Sequence, residues 1–451
     1  MNSERQLERL GLFDAKVPRY TSYPTAPNFT GSVKSSQYAG FLGAVPKGAR
    51  LSVYLHVPFC RRLCWFCACR TQGTRNERPV ADYVTALKAE LAMLASHLPK
   101  DVCLSRMHWG GGTPTLLPAD MIRDLAGAIA NTLPFTEDYE FSVEIDPNDV
   151  DEPRIIALRA AGMNRALVGV QDFDEGIQQS IGRLQSFEST RDTIDLLRAH
   201  GVDRLNAEIL FGLPHQTPER IADTIQRLIS LSPDRVAVLG YAHVPWMARR
   251  QSLLPSDALP TPQERLKLFE TARDLFVWDG YRPIGIDHFA LPGDSLAAAQ
   301  ETGGVRRNFQ GYSDDQNDVL IGMGASAISR FPGGYAQNAP STSDYMTAIG
   351  DDQFATARGH VFDDDDALRG RIIEALMCDF AVKSDRLESE HSATRPELVQ
   401  MFETANALFE NRLLVSNDGL EIPTDMRPLT RRICQHFDTY SPDNAILSPA
   451  N

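Results

Sequence analysis

Six short apolar runs alternate with amphipathic stretches between residue 51 and about residue 290. The runs are LSVYLHV (51–57), SRMHWG (105–110), YEFSVEI (139–145), RALVGVQ (165–171), RLNAEILF (204–211) and RVAVLGYA (235–242). Apolar runs of this kind are typical of parallel strands that are buried on both faces. A phrase that closes a helix and opens a strand recurs as GMNR, GVDR, SPDR and GYR. The recurrence indicates repeated βα units and predicts an α/β fold.

Three parts of the chain differ in their pattern. Residues 1–50 form an arm that is rich in proline and aromatic residues and poor in periodicity. Residues 51–355 hold the βα units and an extension, and residues 356–451 are expected to form a mostly helical C-terminal domain. Repeated βα units build either an open doubly wound sheet or a closed or partial barrel, and the residues alone leave these arrangements open.

Both arrangements place the ligand at the carboxyl ends of the parallel strands. Each predicted strand ends in polar or glycine-rich residues: a cysteine-rich segment, GGGTPT, Glu144 with Asp146, Gln171 with Asp172, Glu208, and the sequence Tyr241-Ala242-His243. Six consecutive strand ends of this kind favour one shared site. The glycines allow the backbone to approach a ligand closely, and the Glu144 carboxylate is suited to the hydroxyl groups of a ribose.

The net charge of the 451-residue chain is −14, which works against binding the phosphate backbone of nucleic acids. No apolar window is long enough for a membrane span, and the N-terminus has no apolar signal-peptide core. We therefore expect a cytoplasmic protein without a nucleic-acid partner. Five arginines gather near the cysteine-rich segment, namely Arg61, Arg62, Arg70, Arg75 and Arg78. They indicate either a small polyanionic ligand or a solvated loop.

Four of the seven cysteines lie between residues 60 and 69. Cys60, Cys64 and Cys67 have the spacing C-x3-C-x2-C, and Cys69 follows. A structural zinc site usually takes two separated pairs of ligands, and the sequence has no second pair. An iron–sulfur cluster on a single loop fits this segment better, because soft thiolates suit it. The other three cysteines are interpreted as small buried hydrophobic residues.

The cysteine spacing, Phe66 directly before the third cysteine, and GGGTP after the second strand together resemble the radical S-adenosylmethionine (SAM) enzymes. The resemblance implies that Cys60, Cys64 and Cys67 ligate a [4Fe–4S] cluster and that SAM binds the fourth iron. A fourth thiolate at that iron would block SAM. Cys69 is therefore expected to be a residue that activity needs and that is not a cluster ligand.

Further phrases resemble one family, the oxygen-independent coproporphyrinogen III oxidases of haem biosynthesis. They are VPRYTSYPTAPNF, YLHVPFC, CWFCAC, HWGGGTPT, GVQDF, FGLPHQT, YAHVP, DHFA, RNFQGY, GMGASAIS and CQHFDTY. The resemblance implies a partial (β/α)6 TIM-like barrel with an N-terminal arm at the substrate site and a helical C-terminal domain. It also implies two SAM molecules in one site and oxidative decarboxylation of coproporphyrinogen III to protoporphyrinogen IX.

The resemblance also assigns residues where this sequence matches the family's motifs. Contacts to the first SAM are implied for Tyr54, Gly111, Glu144, Phe309, Gln310 and Ile328. Contacts to the second SAM are implied for Phe66, Gly112, Thr113, Gln171, Arg183, Glu208 and Ala242. Tyr54 and Cys69 are expected to act in catalysis. Arg19 of the arm is the candidate for binding the propionates of the substrate, with a structural role in tethering the arm as the alternative.

Three positions depart from the family's pattern: Glu208 stands where Asp is usual, Gly240 where Asn is expected, and Ala68 where Gly is expected. Two related functions remain open, a haem chaperone and a radical SAM methyltransferase that opens haem anaerobically. The chaperones typically lack the fourth cysteine and the PRYTSYPTA arm, and the methyltransferases should be weaker at the arm and at RNFQGY. We expect a monomer that receives electrons from a flavodoxin-type protein.

Overall fold

The computed structural model describes residues 2–440 and 448–449. The α-helices are α1 (Asn2–Arg9), α2 (Ser35–Gly43), α3 (Arg78–His97), α4 (Ala119–Thr132), α5 (Glu152–Ala160), α6 (Glu175–Ser180), α7 (Phe187–Ala199), α8 (Pro218–Ser230), α9 (Pro262–Trp278), α10 (Ser295–Glu301), α11 (Thr342–Gly350), α12 (Asp364–Asp379), α13 (Ser384–Glu390), α14 (Arg395–Leu408) and α15 (Thr430–Phe437). The strands are β1 (Lys16–Val17), β2 (Arg50–Val57), β3 (Phe59–Cys60), β4 (Gln72–Gly73), β5 (Cys103–Gly111), β6 (Phe135–Ile145), β7 (Arg165–Gln171), β8 (Arg204–Phe211), β9 (Arg235–Gly240), β10 (Arg282–Ile284), β11 (His288–Ala290), β12 (Arg306–Asn308), β13 (Gly311–Ser313), β14 (Leu320–Met323), β15 (Ile328–Phe331), β16 (Gly334–Asn338), β17 (Thr356–Val361), β18 (Ala381–Lys383), β19 (Leu414–Ser416), β20 (Gly419–Glu421) and β21 (Ser448–Pro449).

The six predicted strands are β2 and β5 to β9, and they form the parallel centre of one sheet. Their spatial order follows their order in the chain, β2-β5-β6-β7-β8-β9. A doubly wound sheet would reverse this order at a switch point, so the arrangement is of the barrel type. The sheet ends in β10 on one side and in β17 on the other, which makes it a partial barrel. The predicted fold class is thus confirmed.

The sheet is wider than the sequence patterns indicated. Strand β14 runs parallel to β2, and β15, β16 and β17 continue that edge in antiparallel fashion. At the other edge β11 pairs antiparallel with β9, and β10 with β11. Most of these added strands have only three to five residues. Such short segments do not show the long apolar runs from which the central strands were predicted.

Alternation along the central strands separates the core from the cavity. In β2, Leu51, Val53 and Leu55 are buried in the core with the surrounding helices, whereas Tyr54 lines the cavity inside the barrel. Successive side chains of a strand point to opposite faces, so one face supplies the apolar contacts and the other supplies chemistry. The register places Tyr54 beside His108 of β5. The same alternation directs the inward side chains of β6 and β8 to the cavity.

A second hydrophobic core joins the N-terminal arm to the C-terminal helices. Leu12, Val17 and Tyr20 of the arm are buried against Leu376 of α12 and Ile433 of α15. Later residues of the arm belong to the core of the barrel instead. The arm therefore packs on both hydrophobic cores. The division at residues 50 and 355 stays a prediction, since β17 carries the central sheet on to Val361. No helix in the described parts of the chain has the length and apolar character that a membrane span requires.

Candidate active site

A cavity of about 1360 Å³ opens at the carboxyl ends of the parallel strands. Its wall includes all the candidate residues from the sequence: Arg19, Tyr54, Cys60, Cys64, Phe66, Cys67, Cys69, Gly111, Gly112, Thr113, Glu144, Gln171, Arg183, Glu208, Ala242, Phe309, Gln310 and Ile328. These residues come from the arm, from the ends of six strands and from the β12–β15 segment. The fold thus gathers residues that are far apart in the sequence around one space.

The cysteine-rich loop is fixed to the barrel through backbone contacts. Strand β3 pairs with β4, which closes the loop at its base. The Trp65 N–H donates to the Ile181 carbonyl at 2.9 Å. The side-chain amide of Gln251 donates to the Phe66 carbonyl at 2.8 Å, and the guanidinium of Arg250 to the Cys69 carbonyl at 3.2 Å. These contacts hold the loop against the cavity at several points along its length.

The thiols of the loop differ in their environments. Burial raises the pKa of Cys60 to about 12, and it also raises the pKa of Cys64. A hydrogen bond from the Cys69 thiol lowers the pKa of Cys67 and raises that of Cys69 well above its usual value. Cys69 is accessible to solvent, but it lines the cavity, so its exposure is to the interior of the site.

The donor set of the loop suits a cluster and does not suit a single ion. In the described residues no three His, Cys, Asp or Glu side chains converge closely enough to hold one metal ion. Thiolates that each bind a different iron of a cubane lie farther apart than the ligands of one ion. Cys60, Cys64 and Cys67 all face the cavity from one short loop, and soft thiolates are the ligands that Fe–S clusters take. The residues present therefore fit a [4Fe–4S] cluster.

Tyr54 lies between two histidines at the centre of the site. Its hydroxyl is 3.0 Å from His56 Nδ1, and its ring stacks on His108 with centroids 5.8 Å apart. His108 in turn lies 2.6 Å from the Ser142 hydroxyl through Nδ1. Burial, and then the charge of Glu144, raise the pKa of Tyr54 well above its usual value. The phenol is therefore a neutral group at any physiological pH.

Glu144 and the glycine turn of residues 110–112 fit together closely. The Gly111 N–H donates to Glu144 Oε2 at 3.1 Å. A Cβ at Gly110 would collide with the Glu144 carboxylate, and one at Gly111 with the ring of His56. Gly111 also has a φ of +106°, which a residue with a side chain adopts only with strain. The turn thus leaves backbone groups, and no side chain, at this end of the cavity.

Glu208 belongs to a second set of polar side chains in the cavity. Gln171 has a φ of +67° at an irregularity of the β7–β8 pairing, and its side chain donates to Glu208. Among the described residues, Gln171 Oε1 is buried with no hydrogen-bond partner, so it can accept from a ligand. Burial and the charge of Glu144 raise the pKa of Glu208 to about 7. Arg183 donates to the Gly169 carbonyl at 3.1 Å and lies 3.3 Å from Asp146.

Arg19 enters the cavity from the arm. Its Nη2 donates to the Gly240 carbonyl at 2.8 Å. The side chain is exposed, but it lies inside the cavity, where the surrounding protein lowers its pKa through desolvation. The pKa of Arg19 is raised by the charges of three nearby groups, Asp287, Glu208 and Cys69, and it is lowered by the charge of Arg307. Arg19 therefore contacts the barrel directly and faces the same space as the cysteine loop.

Sequence reasoning missed several residues that shape the site. His108 was not named, although it occupies the inward position of the second strand in HWGGG. Arg250 and Gln251 anchor the cysteine loop from a short 3-10 helix, Arg249–Leu253, and its sequence has no periodic signal. Arg265 of α9 and Arg431 of α15 also line the cavity. Of these residues only His108 had a signal in the sequence, because the alternation of inward and outward positions along its strand points it to the cavity.

Comparisons with known proteins identify the family of the chain. Residues 54–228 match the model of the radical SAM superfamily. The chain is 58% identical to the oxygen-independent coproporphyrinogen III oxidase of Paracoccus denitrificans, over 98% of each chain, and 36% identical to that of Pseudomonas aeruginosa, over 95% of each. The solved structure of coproporphyrinogen III oxidase from Escherichia coli, described as a radical SAM enzyme, superposes with a TM-score of 0.90 at 34% identity and covers 95% of this chain and 100% of that one. The chain therefore belongs to the oxygen-independent coproporphyrinogen III oxidase family of radical SAM enzymes.

Proposed function

We propose that this protein decarboxylates two propionate side chains of coproporphyrinogen III oxidatively to vinyl groups, which gives protoporphyrinogen IX in haem biosynthesis. The observation that carries the proposal is the single cavity that unites the cysteine loop, Glu144, Glu208 and Arg19. A site for this reaction needs thiolates for a cluster, polar acceptors for SAM and positive charge for a substrate with four carboxylates. The cavity supplies all three.

Cys60, Cys64 and Cys67 would hold the [4Fe–4S] cluster at the mouth of the strand ends. When bound, the reduced cluster and SAM supply the 5′-deoxyadenosyl radical that takes a hydrogen atom from the substrate. The contacts of Arg250, Gln251 and Trp65 keep the loop in place. Cys69 would remain a free thiol that donates to Cys67 and faces the reacting centre.

Two SAM molecules would bind in this cavity. The first would lie against Tyr54, the glycine turn and the Glu144 carboxylate, with Phe309, Gln310 and Ile328 beside it. The second would lie against Phe66, Gly112, Thr113, Gln171, Arg183, Glu208 and Ala242. The unpartnered Gln171 Oε1 and the acid at position 208 support this second position, because both can accept from an amino or hydroxyl group.

At each reacting propionate a hydrogen atom leaves the β-carbon and one electron passes to an external one-electron acceptor. The bond to the carboxyl carbon then breaks, CO2 departs and a vinyl group remains. The protonated phenol of Tyr54 holds His56 and His108 in position beside this space. Arg19 would bind a carboxylate of the substrate, so the N-terminal arm, residues 1–50, would contribute to the substrate site. The catalytic barrel would comprise residues 51–355, and the C-terminal domain would comprise residues 356–451.

The surroundings of the protein are part of the proposal. Arg61 and Arg62 are exposed next to Cys60, and this local positive charge suits an acidic electron donor of the flavodoxin type. We infer a cytoplasmic monomer. Sedimentation of the reconstituted protein tests whether it is a monomer. Reduction of its cluster by flavodoxin tests the type of electron donor.

The test of the activity is an anaerobic reaction with defined components. The cluster is reconstituted, SAM, a reductant and coproporphyrinogen III are added, and the products are followed by mass. Loss of two CO2 units per substrate is expected. An intact cluster with no loss of CO2 would contradict the proposal, and a ring-opened or methylated product would favour the haem-degrading methyltransferase instead. If coproporphyrinogen III stays bound to the protein without any chemical change, the chaperone is favoured.

A further inference from the structure

Arginine side chains from four separate parts of the chain line the same cavity. They are Arg19 of the arm, Arg265 of α9, Arg307 of β12 and Arg431 of α15. Arg307 forms an ion pair with Asp287 at 3.3 Å and stacks on Tyr312, with its guanidinium carbon 4.3 Å from the ring centroid. His288 is a second partner of Asp287, at 2.6 Å. The Asp287 charge is therefore already shared between Arg307 and His288.

Arg265 reaches the cavity through a slot between two glycines. A Cβ at Gly212, which has a φ of +83°, would collide with Arg265 Nη1. A Cβ at Gly240 would lie 3.0 Å from Arg265 Nη2. The guanidinium carbon lies 5.3 Å from the centroid of the Phe211 ring, in a cation–π contact. The ends of β8 and β9 thus leave room for this side chain and fix its direction.

Arg19 and Arg431 converge on the same wall. Arg19 donates to the carbonyl of Gly240, the residue that borders the Arg265 slot. Arg431 donates to the carbonyls of Val17 at 2.7 Å and Pro18 at 3.0 Å, directly before Arg19. Arg431 therefore holds the arm in the position from which Arg19 enters the cavity.

The charges of these arginines act on one another. Burial and then the charge of Arg19 lower the pKa of Arg265 to about 10. Burial and then the charges of Arg19 and Arg307 lower the pKa of Arg431 to about 9. Guanidinium groups form bidentate pairs with carboxylates, so arginines that line one wall of the cavity can bind an anionic group there.

We propose that Arg265 and Arg19 together bind the carboxylate of a substrate propionate that is not decarboxylated, and that Arg431 positions the arm for this contact. The proposal rests on the proposed function. Arg19 and Arg265 both border Gly240, at the end of β9, in the cavity that the cofactor residues also line. An ion pair stabilises a carboxylate as an anion and so opposes its departure as neutral CO2. A double arginine contact therefore suits a propionate that the reaction retains.

The test compares two porphyrins that differ only in the reacting positions. Coproporphyrin III carries all four propionates, whereas mesoporphyrin IX carries only the two retained ones. Arg265→Gln should weaken binding of both to the reconstituted holoenzyme by the same factor, about tenfold or more, measured by fluorescence titration. Arg265→Gln should raise KM for coproporphyrinogen III by a similar factor and leave KM for SAM unchanged. Arg227→Gln, at an exposed arginine of α8 paired with Asp223, is the matched control and should change none of these values.

Each outcome decides between distinct statements. A loss of affinity for coproporphyrin III alone would show that Arg265 binds a reacting propionate and would overturn the inference. Unchanged binding of both porphyrins would overturn it as well. Arg265→Lys keeps the charge without the bidentate geometry and should restore affinity only in part. If the wild-type enzyme binds both porphyrins but releases no CO2, the proposed activity fails while the binding comparison can still be made.

Discussion

Glu90 gives the sharpest prediction about stability, because it is a fully buried acid in the middle of α3. Its Oε2 accepts from the Gly324 N–H at 2.8 Å and from the Tyr345 hydroxyl at 2.8 Å. Its Oε1 accepts from the Asn338 side chain at 2.8 Å. Burial nevertheless dominates and raises the pKa of Glu90 from 4.5 to about 7. The hydrogen bonds offset only part of the cost of burying the charge.

The sign of the effect follows from the two pKa values. Between pH 4.5 and about pH 7 the folded state holds the Glu90 proton more strongly than the unfolded state does. The contribution of Glu90 to stability is therefore full below the lower value and is lost as the pH rises through the upper one. A difference of this size corresponds to about 3 kcal/mol. The free energy of unfolding should fall by this amount relative to a protein in which the group cannot ionise.

Glu90→Gln provides that reference. Urea unfolding of the cluster-free protein, followed by circular dichroism, gives the free energy of unfolding for both proteins across this pH range. The variant should gain about 3 kcal/mol on the wild type between about pH 4.5 and about pH 8. Asp82→Asn, an exposed position of the same helix, is the control and should give a curve parallel to the wild type. Parallel curves for Glu90→Gln would refute the reasoning.

Three further substitutions test the site. Cys69→Ser should keep the visible absorption of the cluster and lose turnover, whereas loss of the cluster would show that Cys69 is a ligand. Gly111→Ala should weaken SAM binding about tenfold or more, as measured by equilibrium dialysis. The added methyl group would collide with His56, and a φ of +106° is strained for alanine. Unchanged affinity would contradict the role of the glycine turn in SAM binding. Gly240→Ala should raise KM for coproporphyrinogen III, because its Cβ would lie 3.0 Å from Arg265 Nη2, and an unchanged KM would show that the slot is wider than its geometry indicates.

The central strands could be predicted from the sequence because their outward faces are uniformly apolar. Leu51, Val53 and Leu55 belong to the barrel core, and the intervening positions carry the site. Helix starts were less exact. The pair Thr217-Pro218 predicts a helix start, and Thr217 does cap α8. The residues STRDT (189–193) predict a cap for α7 in the same way, but this helix begins at Phe187 with Ser186 as its cap. A run with several capping residues offers more than one start, and tertiary packing selects among them.

Charge patterns were harder to interpret than apolar patterns. The run of acidic residues from Asp363 to Asp366 is typical of a solvated helix N-terminus, and Asp363 does cap α12. Asp366, however, is buried, where it lies 2.6 Å from His360 Nε2 and accepts from the Tyr440 hydroxyl at 2.7 Å. His360 lies in β17, just before the helix, whereas Tyr440 is 74 residues further along the chain. A sequence window shows that a carboxylate can cap a helix, but it does not show which residue will pack over it.

The arginines that line the cavity show the same limit of sequence-based prediction at the site itself. Arg265 lies on α9, where nothing in the sequence distinguishes it from an arginine on a solvated face. Its position depends on Gly212 and Gly240, which are separated in sequence and become neighbours only because Phe211 pairs with Gly240 between β8 and β9. The departure at position 240 then acquires a physical meaning. A glycine there gives Arg265 the space beside the carbonyl to which Arg19 donates, so this one position brings the barrel, α9 and the N-terminal arm together.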